Sequence, residues 1–308
     1  PGLGRDAAAI KVGSATLVVK TDPITFATDH APLYLVDVNA NDVACLGAVP
    51  RWLVVTALLP AGATTEAMVE QQFSELRDIC AARDIALVGG HTEVTAAVNR
   101  PILVGTLLGD VPEGRLLVPG GGRPGDHLLV TKGIAIEGTA LLARELTEPL
   151  GAVLGRDVVE AAARLLEHPG ISVVKDAAIL LDAGGITALH DPTEGGLVTG
   201  VREMAEAAAC GATLVATRVP VLEPTVAITR HLRLDPLGLL SSGCLLAAAE
   251  PGAVSAIVAA RAVAGITVTE CGMLTHPEEG FVLHHDLPGP MPTFSSDEVT
   301  RVLSGGYV

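Results

Sequence analysis

The chain has 308 residues, 49% of them hydrophobic but only 2% aromatic, and a net charge of −15. That length suits about two domains, with cores built from Ala, Val, Leu and Ile in α/β layers. The acidic balance argues against nonspecific nucleic-acid binding and against binding to acidic membranes, and leaves room for an anionic ligand held through magnesium or a helix N-terminus.

A glycine turn, PGLGRD, opens the sequence without a Met, so further residues are expected before Pro1. Strand-like runs follow at Ala7–Val12 and Thr16–Thr21, the second running into Thr21-Asp22-Pro23. An aspartate at a strand end is placed to point into a site. Pro32 to Pro50 reads as one buried helix, started by Pro32 and stopped by Gly47 and Pro50. It nevertheless carries Asp37, Asn39, Asn41 and Asp42, and Val38, Asp42 and Cys45 share a stripe. A buried carboxylate needs a partner. No Lys or Arg lies on this helix, so the partner is a distant basic residue, a capped helix end or a cation, and a cation is the preferred reading. The plainer alternative has Asp42 capping a neighbouring element or pairing with Arg51.

Trp52–Leu59 is a continuous apolar strand. Thr64 or Thr65 caps a helix to about Arg83, with Val69, Phe73, Leu76 and Cys80 on its apolar stripe. Ile85–Val88 is read as a short strand entering Gly89-Gly90-His91-Thr92-Glu93, where two glycines let backbone approach a ligand or make a hairpin bend. After a strand at Pro101–Asp110, a Gly/Pro-dense stretch places the domain boundary near 118 to 122, giving domains 1–120 and 121–308.

The second half begins with a strand at His127–Thr131 that leads through a glycine turn to Glu137-Gly138-Thr139 and a helix to about Glu145, a phosphate-cradling order of elements without a standard phosphate motif. Helices are expected at Arg156–Leu166 and Val173–Ala183. A strand at Ala188–His190 ends in Asp191-Pro192-Thr193-Glu194-Gly195-Gly196, with a helix running on to about Ala209. Later come strands near Thr213–Ala216, Cys244–Ala249, Ile266–Leu274 and Phe281–His284, helices at Glu223–Leu232 and Ala253–Ala264, and a short helix from Asp297. The five cysteines, at 45, 80, 210, 244 and 271, show no CxxC spacing and read as buried thiols of a reducing compartment. No apolar run reaches membrane-spanning length and no signal peptide opens the chain, so a cytoplasmic location with no membrane partner is expected.

Acids recur at strand ends and glycine turns: Asp6, Asp22, Asp42, Glu93, Asp191 and Glu194. Each has a plain reading as a cap or turn residue, but together they suggest a cluster, which needs protons or cations to form. Oxygen ligands without a His/Cys pairing favour magnesium over zinc, and magnesium implies a nucleotide phosphate chain.

TDPITF, VNANDVACLGAVPRW, LVGGHTEVT, Glu137-Gly138-Thr139 and HDPTEGGL, in that order across the whole chain, resemble the aminoimidazole ribonucleotide synthetase (PurM-like) superfamily. It includes the hydrogenase maturation factor HypE, selenophosphate synthetase and thiamine-monophosphate kinase, and the motifs are most similar to HypE-related proteins. The resemblance implies a two-domain α/β (α+β) fold: an N-terminal domain whose strands form a β-barrel with a second subunit, a C-terminal α/β domain, and an ATP cleft. It implies a homodimer that activates a carbonyl or amide oxygen of a small substrate with ATP. Asp6, Asp22 and Asp42 would hold magnesium, with Asn41 ordering them. Gly2, Gly4 and Arg5 would face phosphate from the N-terminal loop, and Gly89, Gly90 and Thr92 would form a phosphate-side turn. Glu137, Gly138 and Thr139 would also bind the cofactor, and Asp191 would reach towards metal or substrate.

Three departures stand out. Arg5 replaces a second acid before Asp6, and its guanidinium suits phosphate. His91 replaces an aspartate, lowering the site's negative charge and offering either a general base or a solvated loop histidine. The sequence ends Gly305-Gly306-Tyr307-Val308, with Cys271 its last cysteine, so thiocyanate chemistry on a terminal cysteine is not expected. The leading reading is an ATP- and magnesium-dependent enzyme. The alternatives are a nucleotide-binding accessory protein with a maturation partner and no turnover, and a small-molecule kinase.

Overall fold

The structure, a computed structural model, describes residues 7–25 and 30–304, without the side chains of 261–264. The chain separates into two compact units between Leu116 and Leu117.

The first unit runs β1 (Ala8–Val12), β2 (Ala15–Ile24), α1 (Ala31–Cys45), β3 (Val49–Pro60), α2 (Glu66–Ala82), β4 (Ala86–Thr95) and β5 (Ile102–Asp110). Its five strands form one open sheet in the order β1-β2-β5-β3-β4, with β4 parallel to β3 and the other pairs antiparallel. Side chains alternate between faces along each strand. One face carries Val18, Leu53, Val55, Leu103 and Leu107, all buried. Helix α1 lies against this face: a side chain added at Gly105 would meet Asn39 and Leu35, and one at Gly109 would meet Val43. The helix is apolar nearly all round and has Pro32 in its first turn. It ends at Cys45, short of the expected stop, because Val49 and Pro50 already pair with β5. Helix α2 starts where Thr65 accepts a hydrogen bond from the Met68 N–H. Among the described residues of this unit, no helix covers the opposite sheet face, where Ile10, Val12 and Trp52 are exposed.

The second unit contains β6 (His127–Thr131), α3 (Ile136–Glu145), α4 (Thr147–Leu154), α5 (Arg156–Ala163), α6 (Val174–Ala183), β7 (Ile186–His190), α7 (Gly196–Ala207), β8 (Gly211–Val215), α8 (Glu223–Leu232), β9 (Leu246–Ala249), α9 (Val254–Ala264), β10 (Val268–Thr275), β11 (Phe281–His284), β12 (Pro288–Pro290) and α10 (Glu298–Leu303). Its seven strands form a mixed sheet, β12-β11-β8-β10-β6-β9-β7, in which β11 and β8 run parallel. Leu128, Val130, Leu142, Val198, Val201, Ile228, Leu246 and Leu274 belong to one buried core made by this sheet and its helices. Adjacent β6, β9 and β7 bring three positions to one end of the sheet: Lys132 leaves the end of β6, Asp191 the end of β7, and Cys244 precedes β9.

Candidate functional site

In the first unit the site is built from β2 and α1. Lys20 and Asp22 stand two residues apart on β2, so both face α1. Asp22 lies within the strand, which continues to Ile24, and not at its end as the sequence suggested. Asp42 comes from α1. The Lys20 Nζ sits 3.0 Å from Asp22 Oδ2 and 2.9 Å from Asp42 Oδ2. The Lys20 and Asp42 side chains are only 11% and 10% exposed, and that of Asp22 is 33% exposed. Burial alone would lower the lysine pKa. The two carboxylates outweigh it and hold the ammonium well above the usual lysine range.

The basic partner that α1 itself lacks therefore comes from a neighbouring strand. Arg51, the alternative partner for Asp42, instead donates to Asp110 at 2.7 Å. Asp37 is taken by Arg83, at the end of α2. Asn41 is fully buried beside Asp42. Asn39, also fully buried, donates to the Leu35 carbonyl while its Oδ1 has no hydrogen-bond partner.

Gly89-Gly90-His91-Thr92-Glu93 does not form a turn. All five lie inside the ten-residue strand β4. The glycines bring β4 close to β3: a Cβ on Gly90 would fall 1.8 Å from the Val55 carbonyl oxygen. Register then sorts the residues. Asp22, Gly105, Val55 and Gly90 form one cross-strand row on the α1 side, with Thr92 on the same side. Gly89, His91 and Glu93 point to the other face. Within this unit, then, Asp22 and Asp42 come together, and His91 and Glu93 stand apart from them. Gly2, Gly4, Arg5 and Asp6 lie outside the described residues.

Two carboxylate oxygens that share one cation position are donors of the kind magnesium takes, commonly one or two carboxylates together with phosphate and water. Among the described residues, no three His, Cys, Asp or Glu side chains gather as a metal site. Of the six acids collected from the sequence, Asp22 and Asp42 come together, Glu93 lies on the other sheet face, Asp191 and Glu194 belong to the second unit, and Asp6 lies outside the described residues.

In that unit three segments are knitted together by backbone hydrogen bonds. Ser241 N–H donates to the Thr193 carbonyl, Glu137 N–H to Ser242 O, Gly138 N–H to Leu240 O, and Ala135 N–H to the Ser241 hydroxyl. Gly138 is needed here, since a Cβ would lie 2.7 Å from Leu239 Cγ. Thr139 is buried, and its hydroxyl donates to Thr225 at 2.9 Å, an internal bond. Asp191 is buried at the start of the loop into α7. Burial pushes the Glu137 carboxyl up to about 7; a Ser242 hydrogen bond opposes this and the Glu194 and Asp297 carboxylates add to it. Asp297 caps α10 through Val299 N–H and also accepts from Gly195 N–H at 2.8 Å, tying the last helix to the Asp191 loop. Lys132 donates to the Gly170 and Ser172 carbonyls and pairs with buried Asp176 at 3.3 Å.

Two family models cover most of this chain: the AIR synthase related protein N-terminal domain over residues 4–111 and the C-terminal domain over residues 123–285. The chain belongs to the AIR synthase related protein family. Its relatives in that family include carbamoyl dehydratase HypE of Escherichia coli, 30% identical over 274 residues, 84% of this chain and 78% of the relative. Carbamoyl dehydratase HypE of Rhodobacter capsulatus is 29% identical over 83% of this chain and 74% of its own length. The crystal structure of E. coli HypE matches with a TM-score of 0.76 at 22% identity, covering 92% of this chain and 88% of that one. HypE in complex with ATP matches at 0.75 and 22% identity, over 96% and 89% of the two chains, and a chain of a HypE–HypF complex at 0.73 and 18%, over 93% of each. These structures show that the chain shares the fold of HypE.

Lys20 was not among the residues that the sequence singled out, nor were Lys132, Asp176 and the second contact of Asp297. Only Lys20 left a readable signal, two positions before Asp22 in a strand and so on its face.

Proposed function

We propose that this protein is an ATP- and magnesium-dependent enzyme that activates a carbonyl or amide oxygen of a small substrate by phosphoryl transfer. The observation that carries the reading is the convergence of Asp22 and Asp42 on one cation position. It occurs in a family whose relatives are named as carbamoyl dehydratases and have been captured with ATP. Magnesium, when bound, would neutralise the phosphate charge that moves during transfer. Asp22 and Asp42 would hold it, and buried Asn41 would keep Asp42 in place. Asp6, Gly2, Gly4 and Arg5 would bring a further carboxylate, backbone N–H groups and a guanidinium to the phosphates. Gly90 and Thr92, on the α1 side of the sheet, would flank the nucleotide, with Gly89 behind them. In the second unit, the loops around Glu137-Gly138-Thr139 and Asp191 would shape the substrate side. Glu137, with its carboxyl near neutrality, can take or give a proton there, and Asp191 would orient the substrate oxygen.

A homodimer is part of this proposal. The sheet face away from α1 carries Ile10, Val12, Leu17, Val19, Trp52, Val54, Leu58, Val104 and Leu108, an apolar surface ending in the open edges β1 and β4. A second copy would cover it and complete a barrel, and His91 would then lie on the covered face, where it could act as a base. The HypE–HypF complex supports adding a maturation-protein partner, and with it the alternative of a nucleotide-binding protein without turnover.

The test is thermal unfolding with ATP alone, magnesium alone and both, on wild type and Asp42→Asn, followed by ADP release across a panel of amides and alcohols. A shift that needs nucleotide and is lost in Asp42→Asn supports the site; a ligand at a hundred times its Kd adds about 2.7 kcal/mol. No shift in wild type overturns it. A shift with background ADP throughout favours the accessory protein.

A further inference from the structure

The same two oxygens that would meet magnesium, Oδ2 of Asp22 and Oδ2 of Asp42, are the ones held by the Lys20 ammonium. This is not a loose surface pair, since Lys20 and Asp42 are both about nine-tenths buried. Three charges therefore share a confined, weakly screened space, where one added charge counts for much more than in water.

The charges decide the order of events. The two carboxylates and Lys20 sum to one negative charge. Adding a divalent ion alone gives one net positive charge, with an ammonium and a metal competing for the same oxygens. Magnesium also gives up its water reluctantly, so it gains little from a pair already satisfied. A nucleotide changes this balance. Its phosphates offer the ammonium a new acceptor and offset the excess positive charge. Lysine suits such a move, since it is a compact charge on a flexible four-carbon stem. The nitrogen has only to turn from carboxylate to phosphate.

We infer that Lys20 is a resident cation that keeps metal off the Asp22–Asp42 pair until nucleotide phosphates take up its ammonium, so that metal and nucleotide load together. The inference rests on the magnesium–ATP reading of this site. It gives the protein a built-in guard against idle metal loading, and it makes Lys20 a phosphate contact in the loaded state.

The test is magnesium and manganese binding to the full chain, by isothermal titration and thermal unfolding, in wild type, Lys20→Met, Lys20→Arg and Asp42→Asn. Wild type and Lys20→Arg, which both keep the charge, are expected to bind metal weakly alone and to shift strongly with metal and ATP together. Lys20→Met is expected to bind metal alone roughly tenfold tighter or more, the size of effect one adjacent charge has on an ionic equilibrium. It should also lose ATP affinity. Metal binding to Lys20→Met no tighter than to wild type overturns the inference. Should Lys20→Met fail to fold, Lys20→Gln, which removes the charge but keeps a hydrogen-bond donor for the two carboxylates, decides in its place: metal alone binding about tenfold tighter than to wild type supports the inference, and binding no tighter overturns it. If wild type shows no shift with metal and ATP together, the underlying site reading falls and this inference falls with it. If that shift is present and lost in Asp42→Asn, the site stands and the lysine variants judge the guard separately.

Discussion

Arg83 reaches from the end of α2 to Asp37 on α1 with two parallel hydrogen bonds, Nε to Oδ1 at 2.8 Å and Nη2 to Oδ2 at 3.0 Å. Asp37 is 1% exposed and the arginine 34%. The hydrogen bonds to Asp37 raise the arginine further above its usual range, with burial opposing and the carboxylate's charge adding. The pair locks α2 against the helix that carries Asp42 one and a half turns further on.

Removing the arginine leaves a buried, unpaired carboxylate. Arg83→Met is expected to lose about 2–3 kcal/mol, below the full range for a buried pair because the guanidinium is partly solvated. The double variant Arg83→Met/Asp37→Leu should recover part of that loss, since no charge is then stranded. Urea unfolding of the three proteins checks this, and a double variant less stable than the single would contradict it.

Gly89 and Gly90 differ in what a side chain at each would meet. A Cβ on Gly90 would collide with the Val55 carbonyl, whereas one on Gly89 meets nothing within 4 Å. Gly90→Ala is expected to part β4 from β3 and lower the melting temperature by many degrees, and Gly89→Ala to cost less, because it adds backbone strain at φ 157° without the collision. Equal melting curves for both variants would mean that β4 pairs differently from the register seen here.

These two glycines also show where sequence reading reached its limit. A Gly-Gly pair usually marks a turn, and nothing local announces that a neighbouring carbonyl occupies the place of a side chain. The same holds for Lys20. For Asp42 the sequence leaves a distant basic residue, a capped helix end or a cation as partner; the distant basic residue is Lys20, brought from β2 by packing that only the folded chain reveals. Where local rules govern, the sequence was informative. The Thr65 cap, the amphipathic α2 and the strand Phe281–His284 all lie where periodicity and capping put them. Helix α4 was missed because Pro149 and Gly151 interrupt its pattern. The family motifs pointed to Asp22 and Asp42, but local pattern could not sort Thr92 from His91, since that depends on strand register.

Glu137 carries a pH dependence with a definite sign. Its carboxyl rises from an ordinary 4.5 to about 7, mainly through burial. Between those values the folded chain binds more protons than the unfolded one, so stability falls as pH rises through the window. Glu137→Gln can still bond Ser242 but cannot ionise. Its melting temperature is expected to match wild type at the acid end and to exceed it above pH about 7. Melting curves from about pH 4 to about pH 8 test this, and parallel profiles for the two proteins would remove Glu137 from the account.

The open sheet face gives the last prediction. Ile10, Val12 and Trp52 are 47%, 54% and 39% exposed, and Trp52 shares a row with Leu108 and Val19. A largely apolar surface of this kind, interrupted by Thr21, Thr56 and Thr106, on a strand-edged sheet favours a partner with the same surface, and a two-fold dimer covers both copies at once. Wild type is therefore expected to run as a dimer in light scattering at micromolar concentration. Trp52→Glu places a charge where the second copy would bury it, which costs several kcal/mol in an apolar interface. The variant should shift to monomer by light scattering while keeping its circular dichroism, because Trp52 lies outside the core that α1 covers. A monomeric wild type would mean that this face is closed in some other way, and a dimeric Trp52→Glu would place the interface elsewhere on the chain.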